Sequence, residues 1–183
     1  MSRTIVFDLE GVLITDVEKP VRHPQAESVI RRARSDFENV YLWTAINVQE
    51  AYLALLSFCL EEYFDRVIGN FFTHPRQGRR DVFLIPGNCK ILTELPKSRY
   101  RKDLTILEGR VEDKVLIEDI HTYTEASISK MSKWSGLSIE DVRKSIKQGT
   151  GYPPHRVIKI SSFKGQKDHD LNYAYNQALA LFP

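Results

Sequence analysis

The chain has 183 residues and a mass of 21.2 kDa, enough for one domain with a sizeable core. A composition of 42% hydrophobic and 27% charged residues, with 9 glycines and 8 prolines, argues against collagen, coiled coil and disorder. The net charge of +2 rules out an overall polycation, and two cysteines rule out a disulfide framework. No apolar run reaches the roughly 20 residues of a membrane helix, and the start, Met-Ser-Arg-Thr, lacks the long apolar stretch expected of a signal peptide. The expectation is one domain over residues 1–183 with no membrane span, in the cytoplasm or delivered into a host cytosol.

Short apolar runs alternate with amphipathic ones. Thr4-Ile5-Val6-Phe7 predicts a buried strand ending at Asp8. Ala26, Val29, Ile30 and Ala33 recur at helical spacing and predict a helix over 24–37. Val40-Tyr41-Leu42-Trp43 predicts a second strand, ending at Thr44, and 48–63 a second helix. That helix would carry Cys59 on an apolar face, as a core residue. Short strands follow at 66–68 and 115–117, the latter ending at Glu118-Asp119. Ser138 and Asp141 resemble a capping box for a helix over 138–148. A last strand at 157–160 and a last helix at 168–181 complete the pattern. Apolar strands separated by helices predict an α/β fold with a parallel sheet covered on both faces.

In such sheets ligands sit beyond the carboxyl ends of the strands. Asp8, Thr44, Glu118 and Asp119 all stand there, so they are expected to converge on one rim. A carboxylate such as Asp8 can act as a nucleophile where something neutralises an incoming anion. Glu10, two residues on, can donate a proton to a leaving group, and Gly11 permits a sharp turn. The same hexapeptide is also compatible with a strand, a turn and solvated acids. The Thr44 hydroxyl can donate to a phosphate oxygen or cap the next helix. Lys102 can neutralise phosphate or pair with Asp8. Adjacent acids at 118 and 119 need a cationic partner when buried, and such hard oxygens suit Mg²⁺.

Asp8-x-Glu10-Gly11-Val12-Leu13, Thr44, Lys102 and Glu118-Asp119 follow the order of the four motifs of the haloacid dehalogenase (HAD) superfamily. The finer resemblance is to the carboxy-terminal-domain small phosphatases and the NLI-interacting-factor-like domains. Leu42-Trp43-Thr44-Ala45, Arg101-Lys102-Asp103-Leu104 with Leu107-Glu108-Gly109-Arg110, and Val115-Leu116-Ile117-Glu118-Asp119 carry it. It implies a HAD-like Rossmannoid three-layer sandwich and a Mg²⁺-dependent phosphatase. Asp8 would form an aspartyl-phosphate, and Glu10 would be the acid/base, its backbone carbonyl a Mg²⁺ ligand. Thr44, Ala45 and Lys102 would bind the phosphoryl group. Asp8 and Asp119 would ligate Mg²⁺, with Glu118 acting through water or as a partner of Lys102. Glu10 departs from the family, which usually has Asp there. The extra methylene leaves three outcomes: an adapted site, a slow one, or an inactive interaction module.

Family members with small substrates carry a cap domain. Here the only insertion before Lys102 large enough to note is 76–101, which reads as a small basic β-hairpin subdomain. The cleft is therefore expected to be capless or nearly so, open to a phosphoprotein. Residues 76–102 hold eight basic residues against two acidic ones, a local +6 that leaves −4 elsewhere. Such a stretch would steer anionic substrates. With only Tyr100 there to stack a base, nucleic acid is the weaker partner, and a nucleotide or polynucleotide-end phosphatase the weaker enzymatic reading. A second insertion, 122–156, precedes the last strand and holds Trp134 and Tyr152; His121, just before it, is a weaker candidate for touching substrate.

Overall fold

The computed structural model describes residues 2–70, 90, 91, 102, 104, 107–120, 129, 132, 138–140, 143, 156–165 and 170–182. The strands are β1 (Thr4–Phe7), β2 (Asn39–Asn47), β3 (Arg66–Asn70), β4 (Lys90–Ile91), β5 (Lys114–Ile120) and β6 (Val157–Ser161). The helices are α1 (Ala26–Asp36), α2 (Val48–Ser57) and α3 (Leu171–Leu179). The six strands form one all-parallel sheet in the order β4-β3-β2-β1-β5-β6. Flanked by helices, it is an α/β sandwich. The chain runs outward from β1 on one side through β2, β3 and β4, then returns to add β5 and β6 on the other. The strand order therefore reverses between β1 and β5, where parallel sheets open a crevice for ligands.

Helix formation follows the apolar spacing. Ala26, Val29, Ile30 and Ala33 are the buried residues of α1, and Glu27 pairs with Arg31 one turn on at 3.0 Å. In α3, Leu171, Ala174, Tyr175 and Ala178 are buried. Asp170 caps its start, Oδ1 accepting from the Tyr173 N–H at 3.1 Å. The Tyr175 hydroxyl donates to Asp36 at 2.6 Å, tying α3 to the end of α1.

The helix expected over 48–63 is shorter. Regular structure stops at Ser57, because Cys59 takes a left-handed φ of 54°. Leu60 N–H then donates to Leu55 O and Cys59 N–H to Leu56 O, the bond pair that closes a Schellman turn. Leu55 and Leu60 both enter the core, and a 3₁₀ turn follows at Glu61–Tyr63. Cys59 is therefore exposed, not a core residue: it occupies the residue that leaves the helix.

The sheet has two unequal apolar faces. The larger cluster takes Ile5 and Phe7 of β1, Val115 and Ile117 of β5, and the buried faces of α1, α2 and α3. The smaller takes Val6, Tyr41, Trp43, Ile68, Leu116, Leu104 and Leu107. All three described helices thus feed one face, while Leu104 and Leu107 cover the other. Of the helix expected over 138–148, residues 139, 140 and 143 are helical and 141, 142 and 144–148 lie outside the described ones. So do nearly all of the expected hairpin at 76–101, His121 and almost the whole 122–156 insertion. Of the hairpin, Lys90–Ile91 is described, and it joins the main sheet parallel to β3. No helix among the described residues is long and apolar enough to cross a membrane.

Candidate functional site

The site is built where β1 and β5 end side by side. Phe7 is level with Ile117, and the Asp8 N–H donates to Ile117 O at 3.0 Å, so Asp8 continues the ladder next to Glu118. Side chains alternate along a strand. Val6 and Asp8 of the first run therefore share a face with Lys114, Leu116 and Glu118 of β5, while Asp119 points to the other. Asp8, Lys102, Glu118 and Asp119 are all at most 5% exposed.

Lys102 closes the cluster. Its Nζ lies 2.7 Å from Asp8 Oδ1 and 2.6 Å from Glu118 Oε2. Asp8 Oδ1 also accepts the Leu9 N–H at 2.7 Å. Burial works against the Lys102 charge, but Asp8 and Glu118 more than offset it and raise its pKa above the ordinary value of 10.5. Glu118 is pushed well above the ordinary carboxylate value of 4.5, by burial first and then by the charge of Asp8. One ammonium faces several buried carboxylates here, and the raised Glu118 pKa is the direction in which that excess of negative charge acts.

Asp119 is set from its own side of the sheet. Its Oδ2 accepts from the Ser162 hydroxyl at 2.6 Å, just past the end of β6. The turn after β1 packs on it through Gly11, at φ 74°. A Cβ at residue 11 would overlap the Asp119 carboxylate and stand 2.6 Å from Ser162 Oγ. Glycine is thus demanded both by backbone conformation and by space. The Phe163 N–H donates to Gly11 O at 2.7 Å, sewing the β6 end to the β1 turn.

One carboxylate oxygen each from Asp8, Glu118 and Asp119 lie within 4.8 Å of one another, a buried group able to hold a metal ion. The donors are hard oxygens, the chemistry of Mg²⁺ or Ca²⁺ rather than of a thiophilic ion.

Two expected residues sit differently. The Glu10 carboxylate is not one of the three. Its Oε1 accepts the Val17 N–H at 3.1 Å, so it reaches along the 10–22 loop, where Glu10 and Ile14 also form an isolated bridge. Thr44 is buried within β2, which runs on to Asn47 through an irregularity after Trp43. It does not cap α2. Its hydroxyl oxygen accepts the Ile46 N–H at 3.3 Å. Such irregularities re-aim side chains beside sites. Ala45 lies next in β2, with its side chain outside what the structure describes.

Sequence reasoning missed Ser162 and Lys114. Ser162 obeys the same rule as Asp8, a polar residue just beyond an apolar strand. Lys114 opens β5 and is 1% exposed. Its Nζ donates to the carbonyls of Leu104, Leu107 and Gly109 at 3.0, 2.6 and 2.7 Å. A lysine in phase with Leu116 and Glu118 was the available signal.

Comparison of the chain with protein-family models, curated proteins and solved structures finds no match. The functional reading rests on the site itself and on the motif resemblance.

Proposed function

We propose that the protein hydrolyses phosphomonoesters through an aspartyl-phosphate on Asp8, with Mg²⁺ as cofactor and a phosphoprotein as substrate, in a HAD-like fold. The observation that carries this reading is the double ion pair of Lys102. It joins a residue after β1 to one at the end of β5, at the crevice where the strand order reverses. Three separated motifs thereby meet in one buried cluster, which supports the reading.

The roles follow from charge. Asp8 Oδ attacks phosphorus, and the ester oxygen leaves with a proton supplied by Glu10. Water then attacks the acyl phosphate, giving its proton back to Glu10 and restoring the Asp8 carboxylate. Lys102 holds a phosphoryl oxygen and offsets the repulsion between carboxylate and phosphate. Asp8, Glu118 and Asp119 would hold Mg²⁺, which when bound supplies further charge neutralisation for the phosphoryl group. Glu10 is long enough to reach Val17 N–H from the loop that carries it. The reading makes it a proton carrier tethered to that loop.

The test is turnover of an aryl phosphate and of a phosphopeptide panel with and without Mg²⁺, for wild type and Asp8→Asn. Turnover that depends on Mg²⁺ and disappears in Asp8→Asn is expected; turnover that survives the substitution sinks the mechanism. Glu10→Asp then reads the extra methylene, since a rise in kcat marks a detuned site and a fall marks an adapted one.

A further inference from the structure

Lys114 is a buried charge that the proposed chemistry does not use. Burying an ammonium is costly unless its donors are satisfied, and here three backbone carbonyls satisfy them. Those carbonyls belong to the stretch that begins at Lys102. Among the described residues, the Leu107 N–H donates to Leu104 O at 3.4 Å. Leu104 and Leu107 pack against the sheet, and the Lys114 ammonium binds their carbonyls.

The same strand grips the stretch at both ends. Lys114 and Glu118 are four residues apart on β5 and share one face, about 13 Å apart at a strand's rise. Lys114 clasps the carbonyls at 104, 107 and 109. Glu118 clasps the Lys102 ammonium at 2.6 Å. β5 is thus a ruler against which the stretch is measured, and its length fixes where the Lys102 ammonium falls relative to Asp8.

We propose that Lys114 is a positioning residue for Lys102: by clasping the 104–109 carbonyls it sets the Lys102 ammonium between Asp8 and Glu118. What Lys102 then does for a phosphate ester rests on the function proposed above. Its placement does not, and the two are separable by experiment.

The experiment measures acylation of individual lysines by an N-hydroxysuccinimide ester, read by mass spectrometry, with exposed Lys159 as internal reference. Aryl phosphate kinetics are run in parallel on the same protein. In wild type, Lys102 is protected. In Lys114→Met, at a temperature where circular dichroism shows the variant folded, Lys102 labelling rises about tenfold relative to Lys159, as local opening of the stretch exposes it. At the same time kcat falls about 10²-fold, the effect of a misplacement of about 1 Å. A merely structural Lys114 would lower the melting temperature and leave Lys102 protected in the folded molecules; that result overturns the proposal. If Lys114→Met does not fold, Lys114→Arg decides. It keeps the charge, but its planar fork cannot reproduce three bonds from one tetrahedral nitrogen. Lys102 labelling raised about threefold or more supports the proposal, and labelling at the wild-type rate overturns it. If wild type turns over no phosphoester while Lys102 labelling responds as expected, the positioning role stands and the phosphatase reading falls.

Discussion

Two lysines are buried on the same face of the sheet, and the chain accommodates them in opposite ways. Lys102, at the carboxyl end of the strands, is held by two carboxylates. Lys114, at the amino end of β5, is held by three neutral carbonyls. Dipoles fixed in the backbone have one arrangement and no proton to exchange, so an ammonium satisfied by them serves as an anchor. Carboxylates can take a proton, a cation or a phosphoryl group, so an ammonium satisfied by them belongs to an arrangement that a ligand can reset. Burial alone does not separate the two. The partner does.

That contrast is testable by removing each amine in turn. The largest expected effect is from Lys102→Met, which leaves Asp8 and Glu118 without their shared cation. Turnover of an aryl phosphate should fall about 10²–10³-fold, the size of effect seen when one stabilising donor is deleted from a site. Lys114→Met should register in stability as well as in the smaller loss of kcat given above, since three buried carbonyls lose their donor. A loss of about 2–4 kcal/mol in urea unfolding is expected. A variant of Lys114 as stable as wild type, or of Lys102 fully active, would erase the distinction between anchor and site.

A smaller effect separates the two through pH. Glu118 has a folded pKa raised above 4.5, so the folded chain holds its proton more tightly than the unfolded chain does. Its contribution to stability is therefore fully present below the unfolded value and is lost as pH rises from there through the folded pKa. Glu118→Gln should remove that slope, measured as the midpoint of urea unfolding against pH. Lys114→Met should lower the curve as a whole, since the three backbone carbonyls that its ammonium binds carry no proton of their own. Smallest of all should be the response to salt. Raising ionic strength from about 0.1 to 1 M should weaken exposed pairs such as Arg31–Glu27 and barely change the contribution of either buried lysine.

Much of the scaffold was legible because buried parallel strands are written as apolar runs. Thr4–Phe7, the middle of β2 and the middle of β5 could be read directly, and their alignment followed from the α/β pattern. The rim was legible for the same reason, since Asp8, Glu118 and Asp119 interrupt those runs at their ends. Cys59 was misread because helical periodicity does not announce a left-handed exit, which is fixed here by the Leu60 N–H bond to Leu55 O and the burial of both leucines. Glu10 was given the acid/base place by analogy, and its hydrogen bond to the Val17 N–H depends on loop closure that spacing does not encode. Ser162 and Lys114 were overlooked because each partner is distant in sequence or is backbone, and backbone acceptors leave no mark on side-chain patterns.

The join between Gly11 and the end of β6 also bears on when the site comes into being. Residues 11 and 163 are bonded, and Ser162 completes the seat of Asp119. Asp8 follows the first strand, yet its surroundings are completed only by the residues after β6, the last strand of the sheet. A nascent chain halted before residue 157 would carry Asp8, Lys102 and Asp119 and still lack the hydroxyl and the sewn turn that hold them. The cluster is therefore assembled from both ends of the sheet as one event of folding.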